Sequence, residues 1–118
     1  MYRISKEFHF SASHQLKQMP QDHPCARLHG HNYIVVVELS AAELDQYGFV
    51  RDYTELKPLK QYIDETLDHR HLNEVLGDDA VTAELLAKHL YDWSKSRWPE
   101  TSGVRVSETP KTWAEYRP

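Results

Sequence analysis

The chain has one cysteine among its 118 residues. A lone thiol closes no internal disulfide, which excludes a cross-linked secreted scaffold and makes the reducing cytoplasm the expected location. Long apolar runs are also missing. None spans a bilayer, and the N-terminal Met1-Tyr2-Arg3-Ile4-Ser5-Lys6-Glu7 has no apolar signal core, so neither membrane nor export is expected. There is no basic run and no stripe of interleaved basic and aromatic residues. With a formal net charge of −4, nucleic acid is not an expected partner. Repeats, low-complexity tracts and linker-like stretches are absent too, so residues 1–118 read as one domain.

What the chain does have is histidine, eight in all. The most informative stretch is Cys25-Ala26-Arg27-Leu28-His29-Gly30-His31. The following Asn32-Tyr33-Ile34-Val35-Val36-Val37-Glu38-Leu39 is rich in β-branched residues, which predicts a strand from about 31 to 40. Side chains alternate along a strand, so His29 and His31 share a face and can share a metal ion. His14 is the best third ligand. It ends a first strand over 2–14, in which Ile4, Phe8 and Phe10 alternate with more polar residues, and a hairpin would bring it back to the pair. Three histidines without a fourth protein ligand form the pattern of catalytic zinc, with a position left for water or substrate, although imidazole also suits copper, nickel and iron. The alternative is that these are ordinary loop and strand histidines; the nearby thiol and His14 weigh against it. Asp22, Pro24 and Arg27 put Cys25 in an exposed loop rather than the core.

After a polar connection over 41–48, the pattern predicts a helix over about 53–67. Asp52 and Glu55 resemble a capping box, Pro58 falls near the first turn, and Leu56, Leu59, Ile63 and Leu67 make the core stripe. A second helix starts at the N-cap Thr82, buries Leu86, Leu90 and Trp93, and ends before Pro99. Strands follow at Val104–Glu108, opened by Gly103 and placing Val104, Val106 and Glu108 on one face, and at Thr112–Tyr116. This order gives an α+β domain, ββααββ, with an antiparallel sheet and two helices on one face. A small open sheet has two unpaired edges, so a homo-oligomer is expected.

A second constellation, Leu67-Asp68-His69-Arg70-His71-Leu72-Asn73, lies between the helices. An aspartate beside a histidine can orient the ring for acid–base work, though adjacent residues hydrogen-bond poorly and an indirect link is expected. On spacing alone, the weightier reading is that Asp68 caps a turn and His69 is solvated. Glu108, if buried, needs a partner with paired N–H donors, such as the amino-pyrimidinone edge of a pterin or guanine; otherwise it is a solvated strand-end carboxylate.

Taken together, Phe8-x-Phe10-Ser11-Ala12-x-His14, Cys25-x-x-x-His29-Gly30-His31-x-Tyr33, Val50-x-Asp52-Tyr53, Leu67-Asp68-His69-x-x-Leu72-Asn73, Thr82-Ala83-Glu84 and Ser107-Glu108-Thr109 make the chain resemble the 6-pyruvoyltetrahydropterin synthase/6-carboxytetrahydropterin synthase family over nearly its whole length. The three residues between Cys25 and His29 look like the 6-carboxytetrahydropterin synthase branch, of queuosine and deazaguanine biosynthesis. The pyruvoyl-forming branch usually has a longer interval, and an aldolase branch carries Glu near the position of Cys25. The resemblance implies the tunnelling fold (T-fold), with trimers closing a barrel, often paired as hexamers, and active sites between subunits.

By the same resemblance, His14, His29 and His31 would bind Zn2+. Cys25, Asp68 and His69 would move protons, and Glu108 would anchor the pterin ring with help from the backbone around Thr82 and Ala83. The implied substrate is 7,8-dihydroneopterin triphosphate, and the implied products are 6-carboxy-5,6,7,8-tetrahydropterin, acetaldehyde and triphosphate. Leu85 departs from the family, which often has Asn there. Arg27, Arg51 and Lys17 are the cations first considered for the triphosphate. Two other functions remain open at this point: a pyruvoyl-type synthase that only eliminates triphosphate, and a non-catalytic pterin- or purine-binding oligomer. A purely structural metal protein fits less well, since structural zinc sites are usually closed by four protein ligands.

Overall fold

In the computed structural model, which describes residues 1–118, four strands form one antiparallel sheet in the order β1-β2-β3-β4. Two strands of 13 residues, β1 (Tyr2–His14) and β2 (His29–Ala41), pair along their full length from Tyr2–Ala41 to His14–His29. Then come β3 (Thr101–Ser107) and a short edge strand, β4 (Ala114–Tyr116). The four-stranded antiparallel sheet expected from the sequence is therefore present.

Alternation decides which face is covered. Phe8, Phe10 and Ala12 from β1, Tyr33, Val35, Val37 and Leu39 from β2, and Val104 and Val106 from β3 are all buried. Against them pack Leu56, Leu59, Ile63 and Leu67, the stripe foreseen in the sequence, with Leu86 and Leu90 from the long helix. Trp93 is only half-buried. It stacks on Tyr62 at 4.8 Å between ring centroids, at the margin of the core.

The helical segment foreseen over 53–67 is continuous but changes pitch twice. A 3-10 turn (Tyr53–Leu56) leads into α1 (Lys57–Tyr62), and a π turn (Ile63–Leu67) closes with the Asp68 N–H donating to the Ile63 carbonyl, 2.8 Å. Asp52 caps this segment by accepting from Thr54 N–H at 2.9 Å, whereas Glu55 does not reach back to complete a capping box; its carboxylate pairs with Arg51. The segment after Asp68 contains a helix that the pattern did not predict, α2 (Leu72–Leu76). It is too short for periodicity to reveal, and it stops at Gly77, whose φ of 62° is the left-handed conformation glycine adopts without strain. The long helix is α3 (Ala83–Arg97), capped by Thr82 Oγ1 accepting from Leu85 N–H at 3.2 Å. That bond uses only the backbone of residue 85, so Leu85 changes nothing at the helix start.

Several strand limits move. β2 begins at His29, bringing both histidines of the pair into the ladder, and β3 begins at Thr101. β3 also ends at Ser107, so Glu108 lies just beyond the strand and is not a buried companion of Val104 and Val106; β4 begins only at Ala114.

Candidate active site

The ladder register brings the three candidate metal ligands together. His14 pairs with His29, and His31 lies opposite Ala12. All three imidazoles therefore project from the core-facing side at the closed end of the β1–β2 ribbon. Their ring centroids are 4.4 Å (His14–His29), 4.9 Å (His29–His31) and 5.0 Å (His14–His31) apart, and one nitrogen from each lies within 4.8 Å of the others.

Backbone carbonyls set the tautomers. A carbonyl only accepts, so His14 Nδ1–H donates to Val81 O at 2.7 Å and His29 Nδ1–H donates to Arg27 O at 2.6 Å. Each neutral ring then keeps an unprotonated Nε2. His14 Nε2 meets His31 Nε2 at 3.1 Å, where two lone pairs repel unless a proton or a metal ion lies between them. The donor set fits a metal that takes neutral imidazole, with carbonyls orienting the ligands from behind. Burial lowers the His31 pKa. The Glu108 carboxylate, whose Oε2 is 3.7 Å away, opposes the shift, while His14 and His29 reinforce it. The unprotonated state needed for ligation is thus favoured.

His14 is completely buried, and residues the sequence reading gave no role hold it there. Buried Asn73 accepts from Gln15 N–H (2.8 Å) and donates to Gln15 O (2.7 Å) and Asp78 O (3.0 Å), clamping the chain immediately after His14. Val81, just before the α3 cap, supplies the carbonyl. A buried Asn with every polar atom engaged is recognisable only once its main partner, Gln15, 58 residues away in sequence, is known.

Glu108 lines a cavity of about 460 Å³ together with Thr82, Ala83, Leu16 and Trp113. The residues expected to receive a flat, hydrogen-bonding ring are thus brought together. Nearby, Tyr33 is buried between Phe10 and the histidines, 5.0 Å from the former and 5.5 Å from His31 between ring centroids. Its hydroxyl has no partner in the fold, and burial, with the Glu108 carboxylate adding to it, keeps the phenol protonated.

His69 lines another cavity, and Asp68 stands behind it, outside the lining. Asp68 Oδ1 accepts from Ser11 N–H at 2.9 Å, and His69 N–H donates to Ser11 O at 2.6 Å, stapling this turn to the free edge of β1. The expectation of an indirect link is corrected: His69 Nδ1 lies 2.9 Å from Asp68 Oδ2. What permits this is the left-handed backbone of His69, φ 58°, which folds the side chain back toward its neighbour. The Ser11 amide first, and then His69, hold the Asp68 carboxyl below its usual pKa. The His69 side chain remains 81% exposed, open to a substrate.

Cys25 sits half-buried in a 3-10 turn, Pro24–Ala26, rather than in a fully exposed loop. Its N–H donates to His23 Nδ1 at 3.1 Å, and its carbonyl accepts from Leu16 N–H at 2.9 Å, beside the Glu108 cavity. It lines neither that cavity nor the one at His69, so a single protomer does not assemble the thiol and the Asp68–His69 pair in one pocket. Of the cations first considered for phosphate, Arg51 is taken up by Glu100 and Glu55, and Lys17 faces Asp79 at 3.6 Å. Only Arg27 has no carboxylate partner.

A family model described as 6-pyruvoyl tetrahydropterin synthase matches residues 3–118. The chain belongs to that family. It is 32% identical to the 6-carboxy-5,6,7,8-tetrahydropterin synthase of Bacillus subtilis (strain 168), over 99% of this chain and 86% of that protein. It is 34% identical to the 6-carboxy-5,6,7,8-tetrahydropterin synthase of Synechocystis sp. (strain ATCC 27184 / PCC 6803 / Kazusa), over 98% and 93%. Among solved structures, the Caenorhabditis elegans 6-pyruvoyl tetrahydropterin synthase superposes with a TM-score of 0.86 at 28% identity, covering 99% of this chain and 95% of that one. The resemblance drawn from the six motifs is thereby borne out for family and fold. No helix is long and apolar enough to cross a membrane.

Proposed function

We propose that this protein is a 6-carboxy-5,6,7,8-tetrahydropterin synthase, a carbon–carbon lyase acting on 7,8-dihydroneopterin triphosphate. The reaction consumes water and yields 6-carboxy-5,6,7,8-tetrahydropterin, acetaldehyde and triphosphate, the carboxypterin feeding queuosine and other deazaguanine synthesis in the cytoplasm. The observation that carries this reading is the histidine cluster: three imidazoles at the closed end of one ribbon, two with Nδ1 tied to carbonyls, next to a carboxylate in a ring-sized cavity. Full-length similarity to two proteins bearing that name supports it.

In this reading, His14, His29 and His31 hold Zn2+. The chemistry such an ion would supply there is Lewis acidity, which makes protons on the substrate side chain easier to remove. Glu108 accepts hydrogen bonds from the N–H edge of the pterin, with the backbone at Thr82 and Ala83 beside it. His69, oriented by Asp68, and Cys25 move protons on the side chain. Because thiol and dyad lie apart within one chain, the complete site forms between neighbouring protomers of a trimer or hexamer, in which the exposed edges β1 and β4 find partners.

The test is product analysis with zinc-loaded protein and 7,8-dihydroneopterin triphosphate. Acetaldehyde and carboxytetrahydropterin from wild type, falling at least about a hundredfold in Cys25→Ala, are expected. A pyruvoyl pterin without acetaldehyde would assign the sister activity. Tight pterin binding without turnover would leave a binding protein.

A further inference from the structure

The cavity beside His69, about 510 Å³, has a lining unlike the rest of the surface. Three consecutive residues, His69, Arg70 and His71, form one wall along the free edge of β1, and Ser11, Ser13 and Asn32 lie across from them. No carboxylate lines it, although the chain as a whole carries more acidic than basic residues. Asp68, the nearest acid in sequence, is turned onto Ser11 N–H and His69.

Arg70 differs from most arginines of the fold. Arg3, Arg51 and Arg117 pair with glutamates, and Arg97 and Arg105 lie over the rings of Trp93 and Trp113. The Arg70 side chain has no carboxylate and no ring; the one hydrogen bond of its guanidinium is a long 3.4 Å contact to Glu65 O. His71 Nδ1 is held by Ser13 Oγ at 3.0 Å, which leaves its Nε2 without a partner inside the fold. The parallel bridge between Ser13 and His71, with Ser13 N–H donating to Arg70 O at 3.1 Å, fixes this wall to the sheet. A planar guanidinium with free donors, beside two imidazoles and hydroxyls and facing no competing carboxylate, is the chemistry that recognises phosphate oxygens.

We propose that Arg70 and His71 form an oligophosphate subsite that holds the phosphate tail of the substrate. This rests on the pterin-synthase reading above. The tail hangs from the same side chain whose protons His69 moves, so whichever protomer supplies His69 also supplies the two residues that follow it. Arg70 takes the part first sought in Arg51 and Lys17, whose charges are already matched by acids.

The experiment measures binding of inorganic tripolyphosphate by calorimetry to wild type, Arg70→Gln, Arg70→Lys and His71→Gln. Binding of neopterin, which has no phosphate, is measured alongside. Arg70→Gln should weaken tripolyphosphate about tenfold or more and leave neopterin within about twofold, since a charge-assisted contact is lost only for the anion. Arg70→Lys should recover part of the loss, and His71→Gln should cost several-fold. Tripolyphosphate that binds wild type and Arg70→Gln equally, as it would by merely capturing the metal ion, overturns the subsite, as does a parallel loss of neopterin. If tripolyphosphate follows the expected order while neopterin fails to bind and no pterin is turned over, the subsite stands and the pterin reading falls.

Discussion

His14 and His69 are both imidazoles near the same end of the ribbon, yet their surroundings are opposite. His14 is wholly buried, with Nδ1 tied to Val81 O and its flanking backbone clamped by Asn73. The His69 side chain is 81% exposed and is oriented by the carboxylate of its own neighbour, on a strained backbone. In the metal-ligand role proposed for His14, a side chain works by not moving, and the hydrophobic core supplies that rigidity. In the proton-carrying role proposed for His69, a side chain must reach a substrate outside the core, so its orientation comes from a local turn and a directed carboxylate. The same side chain is thus specialised by burial.

The comparison is broken most severely at the buried member. His14→Ala removes a ligand, leaves Val81 O unpaired and opens a cavity, so it should cost about 3 kcal/mol of unfolding free energy. Metal content should fall to near zero, as read by elemental analysis beside denaturant melts. At the exposed member the loss should be catalytic. Asp68→Asn is expected to lower kcat about a hundredfold with bound metal unchanged, because the ring loses its charged orienting partner while the Ser11 contact can persist. A matching loss of metal would show that the two regions are one unit.

Asn73→Ala asks whether the clamp belongs to the buried region. With Gln15 N–H and O left unsatisfied, stability should drop by about 2 kcal/mol, and metal affinity should weaken although no ligand has changed. His69→Gly should act in the opposite direction on stability, raising it by about 1 kcal/mol by releasing the left-handed strain, while turnover collapses. A variant both more stable and inactive would mark the turn as strained for function.

The smallest effect concerns a third imidazole, His89, half-buried with Nε2 2.6 Å from Tyr62 Oη. Burial lowers its pKa against a weaker opposing pull from Asp92. The unfolded chain therefore binds the proton more readily, and stability present above about pH 6.5 should decline as pH falls below it. His89→Gln should flatten that decline when unfolding midpoints are compared from pH 7.5 to 5. An unchanged slope would assign the acid sensitivity to the histidine cluster alone.

By itself, the sequence determined the strands, the core stripe Leu56-Leu59-Ile63-Leu67 and the grouping of His14, His29 and His31. These depend on short-range periodicity and on parity along a strand, which any pairing of β1 with β2 must respect. It also carried the family, through six spaced motifs. Only the tertiary structure decided the roles of Asn73, Val81 and Arg70, because each acts through partners distant in the chain or through the absence of a competing charge. The direct Asp68–His69 contact likewise required a positive φ that no residue type announces. That Arg51 is spoken for by Glu100, 49 residues on, could not be read from either residue alone. Local pattern records which face a side chain takes; what it meets there is set by the packing of the whole fold.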